Sequence, residues 1–186
     1  MRLNHLVIIS TLFCLSGCSK NIKGEDYINL EPQFDLKEYF TGPVKVWGLV
    51  QDRSGKVVNR FDADIYGSWD GNQGTLEEDF HYYNENSRQP KHRTWHINKF
   101  DENHYAGKAA DIIGTAQGVA YGNALNWQYE MKVPTEEGGS YQLMFDDWIW
   151  AMNDGAVINR AYLKKFGFTV AEVTLFMKKE DNKHKL

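Results

Sequence analysis

Cysteine is scarce in this 186-residue chain: there are two, Cys14 and Cys18, both near the N-terminus. Everything after position 18 therefore lacks a disulfide framework, a thiolate metal cage and a thiol nucleophile. Basic charge is not in excess either, since 21 Lys and Arg face 25 Asp and Glu for a formal net charge of -4. That balance gives no footprint for nucleic acid or for a polybasic membrane patch. Motifs for familiar chemistries are missing as well. There is no His-Glu-x-x-His and no acidic calcium loop. His92 and His96 are four apart, a helical ligand spacing, in a stretch that alternates like a strand. No metal or cofactor is expected. Gly138-Gly139-Ser140 lacks the Gly-x-Ser-x-Gly frame and reads as a hairpin turn, and Gly114–Gly122 is followed by no Lys-Ser/Thr that would make it a phosphate loop.

What is present begins with Leu15-Ser16-Gly17-Cys18. This stretch closes an apolar run, Leu6–Leu15, that is ten residues long and too short to span a bilayer. With Arg2 and His5 before it, the run resembles a bacterial lipoprotein signal, which implies cleavage before Cys18 and lipidation of its thiol by palmitate-type acyl chains. Ser19 in place of the Asp that retains such proteins at the inner membrane predicts attachment to the outer membrane, facing the periplasm. Several acyl chains on one cysteine make a durable anchor, at about 0.8 kcal/mol per buried methylene. The expected organisation is a signal peptide over 1–17, the lipidated cysteine and a polar tether over 18–33, and one folded domain over 34–186. With no disulfide, that domain depends on its core, to which 14% aromatic residues contribute.

From Gly42 onward, turn residues punctuate short alternating runs. Candidate strands are 44–51, 57–69, 75–83, 93–100, 104–113, 115–121, 124–133, 141–152, 156–163 and 169–178, preceded by a helical turn or two at Phe34–Phe40 whose apolar side chains can plug one end. Alternation assigns faces. Leu125, Trp127, Tyr129, Met131 and Val133 share one face, as do Phe61, Ala63 and Ile65, and Arg93, Trp95 and Ile97. The small residues of Gly114–Gly122 suit a sharply bent strand or the close approach of another side chain. The fold expected is all-β, a single antiparallel barrel of about eight to ten strands with a short N-terminal helical segment.

Several motifs then carry a family resemblance: Gly42-Pro43 with Trp47-Gly48, Gln51–Val58, Glu78-Asp79-Phe80, Asp111 with Gly114, Ala116 and Gly118, Gly122–Leu125 with Trp127, Phe145–Trp148, Asn159-Arg160, and Lys165–Phe168 leading into Glu172–Leu175. Together they resemble the bacterial lipoprotein family called domain of unknown function 3833, over nearly the whole chain after the signal. The resemblance implies a lipocalin-like barrel of proteobacterial envelopes, commonly encoded beside enzymes that modify fatty acyl chains. It implies no established activity.

Function is then sought among polar residues in apolar strands and among the aromatics. Asp79, His81 and Asp147 are the weak catalytic candidates, because an acid beside a base in a dry cavity can move protons. Asp146 and Asp147 are consecutive on a strand, so at most one faces a cavity. Arg93, Trp95, Trp127, Tyr129, Trp148 and Arg160 are the candidate ligand-binding set: aromatic walls with a guanidinium, Arg93 or Arg160, to anchor a carboxylate or phosphate head. The barrel can equally be filled by these rings. The leading expectation is a lipid-anchored protein that binds or carries an apolar, acyl-type molecule. An enzyme acting on a lipid or acyl chain, and an assembly lipoprotein with a protein partner, are the alternatives.

Overall fold

The computed structural model describes residues 22–84, 87–135 and 137–180. The signal-like segment and Cys18 lie outside these described residues. Ten strands follow one another: β1 (Gly42–Asp52), β2 (Val57–Asp70), β3 (Gln73–Tyr82), β4 (His92–Lys99), β5 (His104–Lys108), β6 (Ile112–Tyr121), β7 (Ala124–Pro134), β8 (Ser140–Ala151), β9 (Ala156–Lys165) and β10 (Phe168–Lys179). Each pairs antiparallel with its sequence neighbour, and β10 returns to pair with β1, so the sheet closes as an up-and-down, lipocalin-like barrel. Closure leaves no strand edge for aggregation.

The expected strands are all found, with one boundary corrected. The run 104–113 is not continuous: β5 ends at Lys108 and the chain turns through Ala109–Asp111, where the Ile112 amide donates to the Ala109 carbonyl at 3.2 Å. This turn swings the Asp111 side chain onto Arg93 of β4. The bent strand expected beyond it is β6, whose register slips between Ile113 and Gln117 around Gly114 at φ +78°. Its small residues serve Trp127, because a Cβ on Gly118 would lie 2.2 Å from the indole. Glycine here is required by close packing.

The segment before β1 closes one end. Helix α1 (Leu36–Tyr39) is capped by Asp35, whose carboxylate accepts from the Glu38 amide at 2.9 Å. Phe34, Leu36, Tyr39 and Phe40 are all buried. The chain crosses β2 so tightly that a Cβ on Gly67 would sit 1.5 Å from the Phe40 carbonyl oxygen. Lys37 donates to the Gly71 carbonyl at 2.6 Å and Lys99 forms an ion pair with Asp35, which pins the plug to the β2–β3 turn and to the end of β4. Upstream, a 3₁₀ turn at Gly24–Tyr27 lies on the outer wall, with the Tyr27 ring centroid 5.9 Å from that of Trp148. The described part of the expected tether is thus laid against the barrel.

Candidate functional site

The barrel is hollow. A cavity of about 410 Å³ runs from Leu36 and Phe40 of the plug to Val50, Val58 and Val133 near the opposite end. Val58 lines it while 52% exposed, which puts the mouth at the unplugged end. The size falls within the roughly 300–1,000 Å³ usual for small-molecule sites, and the walls are mainly aliphatic and aromatic.

Strand parity places the polar groups. On β3, Leu76, Glu78 and Phe80 point inward, and register sets Glu78 opposite Arg93, which is followed inward on β4 by Trp95. On β7 and β8, Trp127 lies opposite Asp147 and Tyr129 opposite Phe145, and all four line the cavity. Arg93 donates from Nε to Asp111 Oδ2 at 3.1 Å and from Nη2 to Met131 Sδ at 3.4 Å, its Nη2 forms an ion pair with Asp111 Oδ2 at 2.9 Å, and its Nη1 lies 3.6 Å from Glu78 Oε2. The guanidinium carbon is 5.6 Å from the centroid of the Phe80 ring. Across the cavity, the Tyr129 hydroxyl donates to Asp147 Oδ2 at 3.3 Å. Glu78 Oε2, Asp111 Oδ1 and Asp147 Oδ1 are buried and accept no hydrogen bond among the described residues.

These surroundings govern ionisation. Burial pushes the Glu78 carboxyl up to about 7 despite the pull of Arg93. Burial likewise raises Asp147 to about 7, outweighing the Tyr129 hydrogen bond, while the nearby Asp146 charge adds to the rise. The Tyr129 phenol is held well above its ordinary value by burial and by Asp147. Burial works against the Arg93 charge, yet Glu78, Tyr129 and Asp111 hold it on, so its pKa is raised.

The expected residues therefore divide. Arg93, Trp95, Trp127, Tyr129 and Asp147 meet in the cavity. Trp148 and Arg160 do not: each is one residue out of phase with an inward neighbour, Asp147 and Asn159. Trp148 is only 5% exposed because Tyr27, Tyr121 and Trp150 cover it on the outer wall. Arg160 forms an external ion pair with Glu172 and touches neither Asp146 nor Asp147. Asp146 points outward, taking hydrogen bonds from Asn126 at 2.9 Å, Gln128 at 3.1 Å and Lys164 at 2.6 Å. Asp79 is also external and is bonded to His92 at 2.8 Å. His81 is exposed, beside Asp62 and Asp64, and the Lys45 ammonium already bonds those two carboxylates at 2.7 and 2.9 Å. Asp79 and His81, lying outside the barrel, cannot act on a molecule in the cavity.

Glu78, Asp111 and Asn159 were not among the expected binding residues. Glu78 had a signal, because it shares parity with Leu76 and Phe80. Asn159, 3% exposed, lines the cavity and donates to the Trp148 carbonyl at 3.2 Å. Asp111 stood in a family motif but had no strand parity to point it inward, since it sits in the turn between β5 and β6 where periodicity ends.

Residues 12–179 match the family model described as "Protein of unknown function (DUF3833)". The chain belongs to the DUF3833 family. That description assigns the DUF3833 protein no activity. No curated protein matches it. Among solved structures, it is similar to the S-type phycobiliprotein lyase CPES from Guillardia theta, with a TM-score of 0.53 and 9% identity over 78% of this chain and 92% of that one. At such identity the likeness concerns the fold alone.

Proposed function

We propose that the protein binds or carries an apolar small molecule inside its barrel, held at the bacterial envelope by acyl chains on Cys18. The observation that carries this reading is the cavity of about 410 Å³, open at one end and lined by Trp95, Trp127, Tyr129 and Phe145. Buried apolar surface contributes roughly 25 cal/mol per Å², so a hydrocarbon chain within these walls gains binding energy along its length. The Leu15–Cys18 motif supports the anchor.

The test is titration of the purified protein with the neutral fluorophore N-phenyl-1-naphthylamine. Saturable binding in wild type, lost when Ala63→Trp fills the lumen, is the expected result. Binding that survives this substitution would place the probe on the outer surface and contradict the reading.

A second reading has one observation in its favour. Tyr129 and Asp147 lie within hydrogen-bond reach inside the cavity, and Asp147 titrates near neutrality, as a general base would. In an enzyme acting on an acyl compound, Asp147→Asn would abolish turnover while substrate still binds.

A further inference from the structure

The polar end of the cavity specifies the ligand's head group, an inference that rests on the binding reading above. Arg93 is the cation in the lumen expected from sequence to anchor a carboxylate, yet its charge is already met by the Asp111 carboxylate. Nε donates to Asp111 Oδ2 at 3.1 Å, Nη2 lies 2.9 Å from the same oxygen and donates to Met131 Sδ at 3.4 Å, and Nη1 approaches Glu78 Oε2 at 3.6 Å, beyond hydrogen-bond distance. An incoming carboxylate at Nη1 would place a third buried carboxylate beside Asp111 and Glu78 on one guanidinium, which is unfavourable once those acids are ionised.

The unpartnered oxygens of the two lumen acids are acceptors when those acids are ionised. Asp147 Oδ1 is buried and unpartnered on one side of the lumen, and Glu78 Oε2 has only the long contact to Arg93 on the other. Both residues line the cavity. A buried acceptor without a donor is costly, and a ligand that supplies the donor recovers that cost. The charge points the same way. When Asp111 neutralises Arg93, ionised Glu78 and Asp147 leave the polar wall net negative.

We infer that the barrel takes an apolar molecule whose head group donates hydrogen bonds, an amine or a hydroxyl, and discriminates against carboxylate and phosphate heads. Discrimination of this type is strong, because the wrong head leaves buried polar atoms unpaired and places like charges together.

Decylamine, decanol and decanoate share one chain length and differ in the head, so competition by each against the bound fluorophore at pH 8 isolates the head group. The amine and the alcohol should each bind at least tenfold tighter than decanoate. Asp147→Asn should erase most of the advantage of the amine and leave decanoate unchanged or improved. Decanoate binding as tightly as the other two would overturn the inference while leaving the apolar cavity intact as a binding site. Failure of all three ligands would remove the binding reading itself.

Discussion

The Tyr129 hydroxyl and the Asp147 carboxylate meet at 3.3 Å inside the barrel, and the bond satisfies one carboxylate oxygen while the other, Oδ1, accepts nothing among the described residues. A buried acid with half its acceptors idle is destabilising in its charged form, and the same idle oxygen is free to meet a donor that a ligand brings in.

Stability should therefore depend on pH through Asp147 and Glu78. Both hold a proton up to about 7 in the folded chain, against ordinary values of 3.8 and 4.5. A folded state that binds protons more tightly is stabilised at low pH, so this contribution is complete below a pH of about 4, declines as pH rises, and is gone above about 7. Thermal unfolding compared near pH 5.5 and pH 8.5 should show Asp147→Asn gaining on wild type at the higher pH. The gain should reach up to a few kcal/mol, since each tenfold difference in proton affinity between folded and unfolded chain is worth about 1.4 kcal/mol. Equal differences at both pH values would contradict it.

Two arginines should behave oppositely. Arg93→Met leaves Asp111 and Glu78 buried without their cation, so chemical denaturation should report a loss of roughly 3–5 kcal/mol. Arg160→Met breaks an external, partly exposed pair with Glu172, so it should cost less than about 1 kcal/mol and leave ligand affinity unchanged.

Gly67→Ala tests the plug. Its new Cβ would meet the Phe40 carbonyl at 1.5 Å, and backbone cannot yield as a flexible side chain does. Destabilisation above about 1–3 kcal/mol, the usual range for overpacking, is expected, together with faster hydrogen exchange at Phe40 and Thr41.

The β9–β10 turn is strained in a way that substitution can relieve. Phe166 has φ +52° while 90% exposed, ahead of Gly167 at φ +83°. Two-residue turns of this kind favour Asn-Gly, so Phe166→Asn should raise stability by about 1 kcal/mol in equilibrium unfolding.

The barrel was legible because alternation is a local signal. Trp127 and Tyr129 face inward for the same reason that Asn126 and Gln128 do not, and ten such runs between turns leave few other folds. Parity also separated Asp146 from Asp147. The same rule, applied to Asn159 and Arg160, excludes Arg160 from the lumen, and on β3 it exchanges Glu78 for Asp79. The hollow interior was not legible, since side-chain volumes do not reveal how far apart opposite walls stand. Nor was Asp111, because only the fold brings the β5–β6 turn to Arg93. Trp148 shows the limit of burial as a guide: it is buried, but beneath the 3₁₀ turn on the outside.

The most direct measurement is native mass spectrometry, with lipid extraction, on the protein purified from a bacterial periplasm without detergent. The predicted result is a stoichiometric apolar molecule that is released by extraction and carries an amine or hydroxyl head. A clean unliganded mass, unshifted after exposure to neutral, cationic and anionic lipids, would contradict the central claim that the barrel is a binding site.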